Sequence, residues 1–126
     1  MSHNRILVVE DNPKNLKLVR DVLTHSGYEV IEATSGEDGV RLAHDRSPDL
    51  ILMDLQLPGI DGSEALRQIR EGDDGQVPVV AVTAFAMNDD RRRALESGFD
   101  GYVEKPISVR GLPQLVDDFL RLRGTP

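Results

Sequence analysis

Three runs of strand length, Arg5 to Val9, Leu50 to Met53 and Val77 to Val82, are apolar almost without interruption. A strand with one wet face alternates polar and apolar residues. One that does not alternate is buried on both faces, as happens in parallel sheets covered by helices. Tyr28 to Ala33 and Gly101 to Val103 are weaker runs of the same kind. Amphipathic stretches separate them. Asn12 can cap a helix with Pro13 at its first position, where a missing N–H costs nothing. Leu16, Val19 and Leu23 then recur at helical spacing, and Gly27 can end the helix. Ser35-Gly36-Glu37-Asp38 and Asp61-Gly62-Ser63-Glu64 have the spacing of capping boxes and open two more helices. Asn88-Asp89-Asp90 opens a fourth, with acids placed favourably for the helix dipole. Ser108 is a candidate cap for the fifth, but Pro113 must lie in a first turn, so that helix is expected to begin near Gly111 or Leu112.

Five βα units in a chain of 126 residues leave room for one domain. Right-handed crossovers and short loops predict a single α/β domain, a doubly wound (βα)5 flavodoxin-like fold with a parallel five-stranded sheet in the order 2-1-3-4-5. The domain is expected to fill residues 1–126, with a core from about 5 to 122. In such sheets ligands bind beyond the carboxyl ends of the strands, beside the switch between the first and third. Composition narrows the function classes. With no cysteine, disulfides, thiolate metal sites and cysteine nucleophiles are excluded. A formal net charge of -7 argues against direct nucleic-acid binding. The apolar runs fall far short of the ~20 residues of a membrane helix, and Met1-Ser2-His3-Asn4-Arg5 is unlike a secretory signal. The expectation is a cytoplasmic protein with no membrane association.

Three acids collect at the expected ligand site: Glu10 and Asp11 directly after the first strand, and Asp54 at the end of the third. Like charges there repel by about 4 kcal/mol per pair at ~4 Å and an effective dielectric near 20. A raised pKa or a bound cation relieves this. Isolated acids at such positions are often helix caps; three at two adjacent strand ends point to a cation. Oxygen ligands without His or Cys favour Mg²⁺ over transition metals, and Mg²⁺ keeps waters that a phosphate oxygen can replace. Thr83 follows the fourth strand and its hydroxyl can reach the same mouth. Lys105 follows the fifth and can pair with Asp54 in an empty site or with a phosphoryl group in a filled one. A cis Lys105–Pro106 bond would aim the lysine inward.

Glu10-Asp11, Asp54, Thr83 and Lys105-Pro106 together resemble the receiver domain of two-component response regulators, over about Arg5 to Leu122. The runs 50–54, 79–87 and 105–109 resemble stand-alone regulators of the DivK type, which act in bacterial cell-cycle and developmental signalling. The resemblance implies that Asp54 is the phosphoacceptor, taking a phosphoryl group from a histidine kinase or histidine phosphotransfer protein. It implies Mg²⁺, with Mn²⁺ as the alternative ion, held by Asp11, Asp54 and the backbone carbonyl of Gln56, with Glu10 acting through a metal-bound water. Thr83 and the Ala84 backbone N–H would bind phosphoryl oxygens, and Lys105 would pair with another. Tyr102 matches the switch aromatic, although a plain half-buried aromatic is an equal reading. Gln56 and Phe85 stand where this family tunes phosphoryl lifetime, and a bulky Phe85 implies a long-lived state. Output would pass through the face of the fourth helix, fifth strand and fifth helix, to a downstream protein or a second copy. Arg91, Arg92 and Arg93 lie on that face, as a solvated run or a docking patch. His3, His25 and His44 are expected far from the strand ends.

This reading describes a switch and not an enzyme, its only chemistry being its own phosphorylation and dephosphorylation. A receiver excised from a hybrid kinase or larger regulator is the near alternative. A Mg²⁺-dependent aspartyl phosphatase would need Asp-x-Asp, but Leu55-Gln56 follow Asp54. A flavodoxin-like electron carrier would need a hydroxyl-rich phosphate loop where Glu10 and Asp11 stand.

Overall fold

The computed structural model describes residues 4–57, 59–71, 77–83, 92–93, 95–105 and 110–124, with side chains to residue 121. Strand β1 (Arg5–Val9) leads to helix α1 (Pro13–His25), β2 (Glu29–Ala33), α2 (Gly36–Arg46), β3 (Leu50–Asp54), α3 (Gly62–Arg70), β4 (Val79–Thr83), β5 (Gly101–Glu104) and a C-terminal helix (Leu112–Gly124). The sheet is five-stranded and parallel, in the order β2-β1-β3-β4-β5. This is the doubly wound flavodoxin-like architecture the apolar runs predict. Arg92, Arg93, Leu95 and Glu96 are helical, as expected of the fourth predicted helix, whose start at Asn88-Asp89-Asp90 lies outside the described residues.

Local chemistry sets the helix starts. Asn12 Oδ1 accepts from the N–H groups of Lys14 and Asn15 at 3.0 and 3.2 Å, and Pro13 follows it. Ser35 Oγ accepts from Asp38 N–H and Asp61 Oδ1 from Glu64 N–H. Each cap satisfies an N–H that would otherwise have no partner in the first turn. After α1 the chain reverses at Gly27, whose φ of +97° suits a residue without Cβ. One boundary differs from the sequence reading. β4 starts at Val79 and not Val77, because Pro78 has no N–H to give the ladder. Gly62 is the first residue of α3, as its place after the Asp61 cap predicts. A Cβ there would press to 3.0 Å from the Asp54 carbonyl oxygen.

Alternate strand residues point to opposite faces, so the continuous runs supply two cores at once. Leu7, Val9, Ile51, Met53, Val79 and Ala81 pack under α2 and α3; Ile6, Val8, Leu50, Leu52, Val80 and Val82 pack under α1 and the C-terminal helix. Both faces being covered, β3 and β4 are buried along their whole length.

At the end of the sheet away from the acids, Arg70 of α3 donates to the Val77 carbonyl and pairs with Asp100 at 2.9 Å. Asp100 in turn accepts from Val79 N–H at 2.8 Å. The cluster ties α3 to the starts of β4 and β5. Arg70→Ala is expected to cost about 2–3 kcal/mol, read from urea unfolding, since the Val77 carbonyl and the Asp100 carboxylate lose their charged donor together. A loss below about 0.5 kcal/mol, the range of an ordinary surface change, would contradict this account.

Candidate functional site

Parallel register brings the chemistry-bearing residues to one edge. Val9 pairs with Met53, Asp54 with Val82, and Thr83 with Glu104. The next residues along β1 and β5 are Glu10 and Lys105, so four strands end beside one another with Glu10, Asp54, Thr83 and Lys105 at their tips. Backbone bonds continue the ladder there: Lys105 N–H donates to the Thr83 carbonyl at 2.8 Å and Leu55 N–H to that of Val82 at 3.0 Å.

Oxygen atoms of Glu10, Asp11 and Asp54 lie within 4.8 Å of one another. Glu10 and Asp54 are only 4% and 2% exposed, whereas Asp11 faces solvent. The Lys105 ammonium reaches both buried acids, at 2.9 Å from Glu10 Oε1 and 3.0 Å from Asp54 Oδ2. The sequence reading anticipated the partner Asp54 but not Glu10. Backbone donors hold the other oxygens: Asn12 N–H reaches Glu10 Oε2 at 3.1 Å and Gln56 N–H reaches Asp54 Oδ1 at 2.9 Å. Each of these acids thus bonds Lys105 through one oxygen and a backbone N–H through the other.

Burial pushes the Glu10 carboxyl above the usual range, reinforced by its hydrogen bond to Asp54 and opposed by Lys105. Burial also works against the Lys105 charge, but the bonds to Glu10 and Asp54 outweigh it and hold the ammonium above its ordinary range. Three carboxylates and one ammonium give these four groups a net charge of two negative, one divalent cation's worth. All three acidic ligands are oxygens and one side of the group is open, which suits Mg²⁺ or Mn²⁺ better than a nitrogen- or sulfur-seeking metal.

Thr83 is buried at the end of β4, and Tyr102 is half-buried on β5, packed against the α2–α3 core. His25 and His44 lie in the last turns of α1 and α2, at the opposite end of the molecule from the acids. Ala84, Phe85 and Pro106, with the expected cis bond, lie outside the described residues, as do Pro58, Met87, Arg91, Ser108 and His3. No helix among the described residues is long and apolar enough to cross a membrane.

A family model for the response regulator receiver domain matches residues 6–117. The polar-differentiation response regulator DivK of Brucella anthropi is 42% identical over 116 residues, covering 91% of this chain and 94% of that protein. The receiver domain of a sensor histidine kinase from Pseudomonas aeruginosa superposes with a TM-score of 0.87 at 37% identity, over 94% of this chain and 98% of that one. That crystal structure has a magnesium ion coordinated in its active-site cleft. A CheY-like receiver domain protein from Methanospirillum hungatei superposes at 0.88 with 29% identity, over 97% of each chain.

Proposed function

Because this chain belongs to the response regulator receiver domain family, we propose that it is a DivK-like phosphorylation switch whose phosphoacceptor is Asp54. The observation that carries the proposal is the pocket itself: a buried carboxylate at a strand end, beside two further acids and bonded to a lysine. Asp11, Asp54 and the Gln56 carbonyl would hold Mg²⁺, with Mn²⁺ as the alternative and Glu10 acting through water. The ion supplies positive charge to offset repulsion between an anionic nucleophile and an anionic phosphoryl group.

The chain's own residues do the rest. Gln56 N–H and Lys105 each bond one oxygen of Asp54 and so fix the carboxylate plane. Phosphoryl transfer has a diffuse anionic transition state, so positioning and charge neutralisation supply most of its catalysis. When a phosphoryl group arrives, Lys105 exchanges its Asp54 bond for a phosphoryl oxygen while Glu10 keeps its charge balanced. The Thr83 hydroxyl and the Ala84 N–H take the remaining oxygens. Gln56 and Phe85 tune the lifetime of the product.

The phosphoryl group's charge of about −1.5 to −2, in place of the carboxylate's single charge, draws Thr83 toward the pocket. Tyr102 on the neighbouring strand turns into the space left behind. The change is read by a protein partner or a second copy at the surface of β5, the C-terminal helix and the helix carrying Arg92 and Arg93. Phosphoryl groups come from a histidine kinase or histidine phosphotransfer protein, in the cytoplasm. The protein is a switch and not a turnover enzyme, and residues 5–122 form its receiver core.

Beryllofluoride mimics a phosphoryl group on a carboxylate. With no tryptophan in the chain, amide NMR is the suitable readout. Beryllofluoride with Mg²⁺ is expected to give a saturable shift at Thr83 and Tyr102, absent in EDTA. Shifts that do not saturate, or that persist unchanged without a divalent ion, would refute the proposal.

A further inference from the structure

The first turns of α2 touch both segments that carry the acids. Gly39 packs so closely on β1 that a Cβ there would come within 2.9 Å of the Val9 side chain, and Val9 directly precedes Glu10 and Asp11. One turn earlier Gly36 meets the loop between β3 and α3, where a Cβ would lie 2.7 Å from the Ile60 carbonyl oxygen. Between these glycines, Glu37 reaches across and accepts a hydrogen bond from Ile60 N–H at 3.3 Å. Gly59 passes beneath that carboxylate with φ of +76°. A Cβ on it would lie 2.5 Å from a Glu37 oxygen, so a side chain there would displace the carboxylate.

That loop holds Gln56, which bonds Asp54 through its N–H and whose carbonyl is the proposed third protein ligand. The loop is anchored near its start by Leu55 N–H on the Val82 carbonyl and near its end by the Asp61 cap of α3. Glu37 adds a tie from its far side to a helix that also braces β1. A carboxylate in the first turn of a helix is favoured by the helix dipole, and its bond to a backbone N–H is charge-assisted.

We infer that Glu37 is a positioning residue for the metal pocket: through Ile60 it holds the β3–α3 loop in register with the end of β1, and thereby raises affinity for Mg²⁺ without touching the ion. The inference rests on the proposed reading of the pocket as a magnesium site. Partners one step beyond a metal ligand typically affect affinity 10–100-fold, and an exposed bond one step further is expected to act at about three- to tenfold.

The test is calorimetric titration of Mg²⁺ into wild type, Glu37→Ala and Glu37→Gln, with amide hydrogen exchange of the metal-free proteins. Expected results are a three- to tenfold weaker Mg²⁺ affinity in Glu37→Ala with faster exchange at Ile60, and recovery in Glu37→Gln, which keeps an acceptor oxygen but no charge. Two results would overturn the inference. One is faster Ile60 exchange in Glu37→Ala with Mg²⁺ affinity within twofold of wild type. The other is Glu37→Gln binding as weakly as Glu37→Ala, which would make the effect one of net charge. If wild type itself binds no Mg²⁺, the reading of the pocket fails, and this inference with it. Mg²⁺ binding by wild type that Glu37→Ala leaves unchanged removes the inference alone.

Discussion

Asp54→Asn is expected to take up no phosphoryl group from a phosphorylated kinase or a small acyl phosphate, under conditions where wild type is modified once per chain. Intact mass spectrometry in Mg²⁺ reads the result directly. Asparagine has the shape of aspartate and retains an oxygen for the Gln56 N–H, so the 2.9 Å bond that orients the side chain survives. What it loses is the anionic nucleophile, and one of three negative charges that attract the cation. A second carboxylate does not replace it. Glu10 is held between Lys105 and Asn12 N–H, and Asp11 lies on the exposed side of the group. Modification of Asp54→Asn at the wild-type rate would place the acceptor elsewhere and end the account of this pocket.

The second large effect is on stability. Lys105→Met is expected to destabilise the metal-free protein by about 2–3 kcal/mol at neutral pH, measured by urea unfolding in EDTA. Methionine keeps much of the lysine stem's apolar bulk but leaves the buried carboxylates of Glu10 and Asp54 facing one another without their cation. The sign with pH follows from the shifts. In wild type the Lys105 ammonium is held above its ordinary value, so its contribution is complete at neutral pH and is lost only as pH rises through that raised value. Glu10 is also raised. The folded state therefore binds more protons than the unfolded one just above the ordinary carboxyl value of 4.5, and stability falls as pH rises through that window. Removing Lys105 takes away a cation that opposes this shift. The variant's deficit should therefore grow from pH 5 to pH 7 in EDTA, and shrink when Mg²⁺ supplies positive charge instead. A deficit unaffected by both pH and Mg²⁺ would mean that Lys105 acts by packing alone.

The two-sided core and the caps at Asn12, Ser35 and Asp61 were legible in the chain because each follows from near neighbours in sequence, and the strand order followed from right-handed crossovers and short loops. Apolar runs without alternation require two covered faces, and Asn-Pro or Ser-x-x-Asp spacing satisfies the first turn of a helix by itself. The gathering of Glu10, Asp11, Asp54, Thr83 and Lys105 was legible for a different reason. Parallel strands all point the same way, so residues that end consecutive apolar runs must share an edge.

Contacts between elements that no period relates were not legible. The second bond of Lys105, to Glu10, depends on side-chain reach across the ends of β4 and β3. Glu37 reads in sequence as an exposed acid of a helix start, and only the packing of α2 against the loop gives it Ile60 as a partner. Gly62 reads as the residue after a helix cap, and only the closeness of α3 to the Asp54 carbonyl shows that it is there for space. Sequence alone determined the fold class and the edge where the chemistry lies, because hydrophobic periodicity and strand polarity are local rules that require a covered parallel sheet with its strand ends on one side. Tertiary structure decided which charges pair and which helix braces the pocket, because those depend on distances of a few ångströms between segments up to 95 residues apart, as with Glu10 and Lys105.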